Sequence, residues 1–274
     1  MGAARPRAVG PVAIVGTGKV GRTLGRALVA SQVDVRSISA RRGDLRKVGG
    51  ARVVVVATRD ADVARTALAL APQLEPGAVV LHVAGALGVE ILAPLRAHRV
   101  AVGSAHPLLA FADPKRPPPL EGGALVLDGD GPAVRAGRAL ARATGMVPLH
   151  LPGLDRPTYH AAAALFANGT IALAAASAEL LEAAGVAPSR APALLAPLLA
   201  SVAKNLHHLG VVRALTGPVR RGDAAAVRAH GAALRAHAPH LVPLYRALVA
   251  AQVPMAAELG EADLREIERV LDQF

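Results

Sequence analysis

The string Gly16-Thr17-Gly18-Lys19-Val20-Gly21 sets three glycines at the spacing GxGxxG. A loop of that composition lets backbone N–H groups close on a phosphate, but the spacing alone is weak; its surroundings make it specific. It directly follows the apolar run Val12–Val15 and opens a helix over Arg22–Ser31. A second strand, Val33–Ser39, comes one unit later. In that context Gly16 permits the tight turn, Gly18 lets the backbone approach a pyrophosphate, and Gly21 lets the helix pack close to the strand. The helix N-terminus adds free N–H groups and a partial positive charge. Residues 12–42 are therefore expected to form a strand–loop–helix–strand unit that binds the pyrophosphate of a nicotinamide dinucleotide. A Walker A loop is excluded, because Lys19 is followed by Val20 and no glycine lies at the required upstream position.

The end of the second strand bears on which dinucleotide. It reads Ile38-Ser39-Ala40-Arg41-Arg42, with no carboxylate before Asp44. A unit built for NAD ends this strand in Asp or Glu, which bonds the ribose 2′-hydroxyl. A hydroxyl and two guanidiniums suit a 2′-phosphate instead, so NADP is expected over NAD, with Ser39, Arg41 and Arg42 as its contacts.

Two further groups of residues could carry chemistry. Ser104-Ala105-His106-Pro107-Leu108 follows a predicted strand, Val100–Ser104, and so falls at the carboxyl edge of a sheet, where ligands bind. Hydride transfer to C=O or C=N requires a proton for the heteroatom, and a His titrating near neutrality suits that task. His160 and Asn168 share a predicted helix, Tyr159–Ala184. Eight residues leave them about 80° apart, broadly on one face. The competing reading for each is a polar residue that serves only loop bonding or helix packing.

The elements that must position these residues alternate in the first half of the chain. Strands are expected at Arg52–Ala57, with its valine run, at Ala78–Val83, at Val100–Ser104 and at Ala124–Leu127. Helices are expected at Asp62–Ala71 and Val89–His98. Such alternation implies a doubly wound, mostly parallel sheet. Beyond Asp155 no strand is recognisable. Helices are expected over Tyr159–Ala184, Ala191–Leu209, from an Asp223 cap to His237, over Leu244–Val253 and over Glu261–Leu271. The fold class is thus an α/β Rossmann domain, residues 1–154, followed by an all-α domain, residues 155–274.

Composition narrows the partners. The chain has 274 residues, of which 53% are hydrophobic and 2% aromatic, and a net charge of +11. The positive charge is nearly all Arg and is scattered, with lysine only at Lys19, Lys47, Lys115 and Lys204. With so few aromatics to stack on bases, nucleic acid is not an expected partner. The absence of cysteine excludes disulfides and thiolate metal sites. The histidines show no HExxH arrangement, and no metal is expected. The N-terminus, with Arg5 and Arg7, is followed by no signal-peptide hydrophobic region. Ala161–Ala178 is long and apolar enough to raise the question of a membrane span, but it is mostly Ala with Asn168, Gly169 and Thr170 at its centre. It is read as a buried helix of a soluble, cytoplasmic protein.

These residues match a family. Val12–Gly21, Val54–Asp60, Leu81–Leu87, Gly103–Phe111, Tyr159–Leu173 and Leu215–Asp223 resemble bacterial Rossmann-like proteins that carry the domain of unknown function DUF2520. Those proteins are similar to pyrroline-5-carboxylate reductase, the F420-dependent NADP oxidoreductases and the 6-phosphogluconate dehydrogenase group. The resemblance implies an NADP site that also uses Ala57 and Thr58, a helical substrate domain and a homodimer formed through that domain. It sets the nicotinamide against Ala84–Ala86, His106 and the helix of Asn168. His106-Pro107 is similar to the HPM segment of prephenate dehydrogenases. The related hydroxyacid dehydrogenases act with a Lys and an Asn one turn apart on this helix. Asn168 fits the Asn, Ala164 stands where the Lys would be, and His160 is the candidate substitute. The Thr216-Gly217-Pro218 loop resembles the one that closes on substrate in pyrroline-5-carboxylate reductase. Thr216 could bond a substrate carboxylate and Arg220 or Arg221 could neutralise it. The expected function is an NADP(H)-dependent oxidoreductase acting on a small, anionic C=O or C=N compound, a 2-keto acid or an imine, in the cleft between the domains. A deazaflavin co-substrate keeps the enzyme and changes its partner. The alternative that Ala164 favours is a non-catalytic dinucleotide-binding sensor or interaction protein.

Overall fold

A computed structural model describes residues 9–274; Arg5 and Arg7, on which the reading of the N-terminus leaned, lie outside the described residues. The chain folds as two compact units that divide between Ala167 and Asn168.

The first unit is built on a seven-stranded sheet. The strands are β1 (Val12–Val15), β2 (Val35–Ile38), β3 (Val53–Val56), β4 (Val79–His82), β5 (Ala101–Leu108), β6 (Ala124–Gly129) and β7 (Val147–His150), in the order β2-β1-β3-β4-β5-β6-β7. Neighbours from β2 to β5 are parallel; β6 runs antiparallel to β5 and β7 parallel to β6. All four residues of β1, β3 and β4 are buried. Both faces explain this: Val12, Ile14, Val53 and Val55 pack with Leu24 and Leu28 of α1 (Lys19–Ala30) and Leu140 of α3 (Gly131–Thr144). Ala13, Val15, Val54 and Val56 pack on the other face with Val63, Ala67 and Leu70 of α2 (Val63–Leu70). A strand covered twice reads as an unbroken apolar run.

Three expectations are corrected here. Val89–His98 is a 3-10 segment and not an α-helix. It contains Pro94, which removes a backbone donor and crowds the preceding turn. The segment around His106 is no loop: β5 continues to Leu108 because β6 returns antiparallel beside it, with His106 opposite Val126. β4 stops pairing at Ser104, so Pro107 falls where one side of β5 is open, the setting that tolerates a missing N–H. The third concerns α4 (Arg156–Ala183), expected to be buried; only Arg156 of its 28 residues is.

The second unit contains the rest of α4 with α5 (Ala191–Arg213), α6 (Ala224–His237), α7 (Val242–Leu259) and α8 (Arg265–Leu271). Gly210, at φ 76°, breaks the helical geometry of α5 next to the expected end at Leu209. Val227, Val249, Ala256, Ile267 and Val270 form the core between α6, α7 and α8. Asp223 caps α6 as expected, its carboxylate accepting from the Ala226 N–H at 3.0 Å.

Candidate functional site

Two places in the first unit have the geometry of a site. The first follows from topology. The chain leaves β1 toward β2 on one side, and β3 takes the other, so a crevice opens at the carboxyl ends of these strands. A groove of ≈ 540 Å³ lies there, lined by Gly16, Thr17 and Gly18 of the β1–α1 turn, by Ser39, Ala40 and Arg41 after β2, and by Ala57 and Thr58 after β3.

The three glycines differ in what constrains them. Gly16 has φ 126°, and a Cβ there would stand 2.2 Å from the Ala57 carbonyl oxygen. A Cβ on Gly21 would stand 2.1 Å from the Gly16 oxygen. Both are fixed by close backbone packing within the protein. Gly18 has nothing within 4 Å of the corresponding position. It is the N-cap of α1 and gives the helix no side-chain cap, so the first N–H groups of the helix are left for another partner. Thr58 adds a second sign of a missing partner: its hydroxyl oxygen is buried without a hydrogen bond. These features fit the phosphates of a dinucleotide, to which Gly18, the α1 N-terminus and Thr58 would be presented.

The predicted contacts divide. Ser39 and Arg41 line the groove. Arg42 is exposed and not among its lining residues, and its backbone N–H donates to Ser39 Oγ at 3.3 Å. Lys19, Val20 and Gly21 form the first turn of α1 behind the groove. The sequence reading missed Arg59 and Arg65, which line the far wall and both pair with Asp62, at 3.1 and 2.6 Å. They follow β3, and only the β1–β3 pairing brings them opposite Ser39 and Arg41.

The second place is beside the carboxyl end of β4. His106 Nδ1 and the Tyr159 hydroxyl are 2.8 Å apart, and the His106 and His160 rings meet edge to face with centroids at 6.4 Å. Burial pushes the His106 imidazole down to about 4, and nearby His160, Arg156 and His82 push the same way. The expectation of a ring titrating near neutrality is therefore corrected: His106 is neutral at physiological pH. His82, fully buried at the end of β4, is also driven to about 4 by burial, and its Nε2 bonds the Gly88 carbonyl at 3.1 Å. Burial raises the Tyr159 phenol, which stays protonated.

Arg156 anchors the helix that carries Tyr159 and His160. Its side chain is 4% exposed; Nη2 donates to Ser104 Oγ at 2.7 Å and to Asp128 Oδ2 at 3.4 Å. Nε and Nη1 are buried without partners. The guanidinium thus ties the first residue of α4 to β5 and β6. Sequence reasoning missed Arg156, Tyr159 and Asp128 because they meet only in the fold. Asn168 and Thr216 belong to the second unit, where both are exposed. Arg220 is held by Glu261 at 2.9 Å and by the Leu215 carbonyl at 3.0 Å, and the turn after Thr216 leads into the Asp223 cap.

The first unit has a Rossmann-type fold in which the last two strands, β6 and β7, run antiparallel to the rest, and a helical unit follows it. The family described as "Domain of unknown function (DUF2520)" matches residues 124–252. No protein of curated function matches the sequence. Among solved structures, a protein from Thermotoga maritima is 22% identical with TM-score 0.68, over 90% of this chain and 98% of the other. A pyrroline carboxylate reductase from Plasmodium falciparum with NADP bound is 9% identical with TM-score 0.63, over 90% and 98%. A reductive aminase from Aspergillus terreus in complex with NADPH and ethyl levulinate is 15% identical with TM-score 0.62, over 92% and 98%. At these identities the likeness is one of fold.

Proposed function

We propose that the protein is an NADP(H)-dependent oxidoreductase that interconverts a small C=O or C=N compound with its reduced form. The groove at the β1–α1 turn carries this reading. Its open space at Gly18, uncapped helix and partnerless Thr58 hydroxyl suit a pyrophosphate. Ser39 and Arg41, with Arg59 and Arg65 across the groove, suit a 2′-phosphate. The NADP- and NADPH-bound reductases of the same fold support it. The cofactor supplies the two-electron chemistry, and the protein supplies position and electrostatics. Thr17 and Gly18 approach the phosphates with Ala57 and Thr58, Gly16 and Gly21 shape the turn, Lys19 and Val20 open the helix behind it, and Arg42 adds positive charge beside the groove. His106 and His160 serve the reacting centre. Titrating the protein with NADPH and NADH by cofactor fluorescence tests this. NADPH is expected to bind at least about tenfold tighter, ~1.4 kcal/mol, and Arg41→Ala to remove most of that preference. Tighter NADH binding overturns the choice of cofactor, and binding of neither overturns the oxidoreductase.

A second copy of the chain completes this reading by covering α4 and α5. Leu165 and Ile171 on α4 are 78% and 68% exposed, and Leu198 and Val211 on α5 are 60% and 67%. Helices apolar on most sides require a covering partner. Light scattering is expected to give twice the chain mass of 27.8 kDa, and Ile171→Glu to give monomer. A monomeric wild type at micromolar concentration contradicts the assembly.

A further inference from the structure

Asp62 stands at the N-cap position of α2, where an aspartate ordinarily accepts a backbone N–H of the first turn, yet its side chain makes no such bond. Both carboxylate oxygens go to guanidiniums instead. Oδ1 accepts from Arg65 Nη2 at 2.6 Å, and Oδ2 meets Arg59 Nη2 at 3.1 Å. All three residues line the ≈ 540 Å³ groove at the β1–α1 turn. Asp62, Arg65, Thr66 and Ala69 line it together, and their spacing of i, i+3, i+4 and i+7 sets them on one face of α2. Helix capping therefore does not account for this carboxylate; its contacts belong to the groove.

The charged residues among the described lining are Arg41, Arg59, Arg65 and Asp62. Asp62 is thus a lone anion among three cations. Hydrogen bonds from Arg65 and Arg59 hold its carboxyl below the ordinary range, so it is ionised at neutral pH. The two arginine side chains are exposed, while that of Asp62 is half-buried. Long exposed arginines can turn to another anion without unpacking anything, and the short aspartate stays in the wall. Its two oxygens offer the guanidiniums what two oxygens of a phosphate would offer.

We propose that Asp62 is a specificity-determining residue for the cofactor: it holds Arg59 and Arg65 in place of a 2′-phosphate, and the 2′-phosphate of NADP(H) takes them over from it. The inference rests on the NADP(H)-dependent reading and deepens it. Asp62 keeps two neighbouring cations from repelling each other. It also opposes the dianionic 2′-phosphate and meets no such charge on the 2′-hydroxyl of NAD(H). The preference for NADP(H) is therefore smaller than three unopposed arginines would give, and neutralising Asp62 enlarges it.

The test titrates the full chain with NADPH and with NADH by cofactor fluorescence at low salt. Asp62→Asn is expected to tighten NADPH binding about fivefold and to change NADH binding less than about twofold, because one charge is removed from beside a dianion that only NADPH carries. Asp62→Ser, neutral and a good N-cap, is expected to give the same gain and guards against an unstable amide variant; thermal melts show which variants are folded. Asp62→Glu keeps the charge and is expected to leave the ratio of the two affinities at its wild-type value. Asp60→Asn removes the charge of an exposed neighbour outside the groove lining and is expected to leave NADPH binding unchanged. NADPH binding that is unchanged or weaker in either folded neutral variant overturns the proposal. Equal tightening of both cofactors overturns it too, since the charge would then act on the pyrophosphate they share, and so does an equal gain from Asp60→Asn. A wild type that binds no NADPH refutes the oxidoreductase reading itself. Failure of the Asp62 inference alone shows as normal wild-type NADPH binding without the gain, so the two failures are distinct.

Discussion

Gly18→Val is expected to weaken NADPH binding by about a hundredfold, ~2.7 kcal/mol, while the variant melts at the wild-type temperature. The two halves of this result have separate causes. Gly18 has ordinary extended backbone, φ −72° and ψ −171°, which valine adopts. Nothing lies within 4 Å of its missing Cβ, so the folded protein has room for a side chain. That room is where the pyrophosphate would approach the N-terminus of α1, and a branched side chain fills it. Gly16→Val gives the contrasting outcome. Its φ of 126° and the 2.2 Å approach to the Ala57 oxygen strain any side chain, so both stability and binding fall. NADPH titration beside thermal melts distinguishes the two variants. Wild-type affinity in Gly18→Val removes this turn from the cofactor site.

Asp128→Ala carries the largest expected cost in stability, roughly 3–5 kcal/mol, the range found when one partner of a buried ion pair is removed. Arg156 is 4% exposed, and two of its nitrogens already lack partners. Asp128 is the carboxylate paired with it. Without that charge only the Ser104 hydroxyl remains, and a dipole is poor compensation for a buried cation. Arg156→Met with Asp128→Asn removes both charges and is expected to recover much of the loss, because no uncompensated ion is left buried. Urea unfolding of the single and double variants measures this. A single variant as stable as the wild type would show that Arg156 finds another partner or reaches water. The consequence for the site is direct, since Arg156 begins the helix that carries Tyr159 and His160. Loosening it should blur the His106–Tyr159 geometry before the sheet itself is lost.

Much of the first unit is legible in the sequence because its signals are local. An apolar run followed by GxGxxG forms a strand and an uncapped helix from short-range sterics, and β1, α1 and β3 fall within a few residues of expectation. Asp223 is legible for the same reason: a cap acts on N–H groups two to three residues away. Other elements lack such signals. Val147–His150 has no buried alternation, and only pairing with β6 makes it a strand. The Ala- and Arg-rich stretch of α3 reveals its buried side only once a sheet lies beneath it. β5 extends past Ser104 because β6 returns beside it.

The glycine loop, its place after a buried strand and the Ser39–Arg41 rim were determined by the sequence alone, because each depends on neighbours in the chain. The cluster of His106, Tyr159 and Arg156 was decided by the tertiary structure. His106 and Tyr159 are 53 residues apart, and Arg156 reaches Ser104 across 52 and Asp128 across 28. Burial, which no single residue type encodes, pushes the His106 imidazole down to about 4 and makes Arg156 a buried cation. Protonation states follow from desolvation and from the charges a fold gathers, so they belong to the assembled site and not to the string of residues.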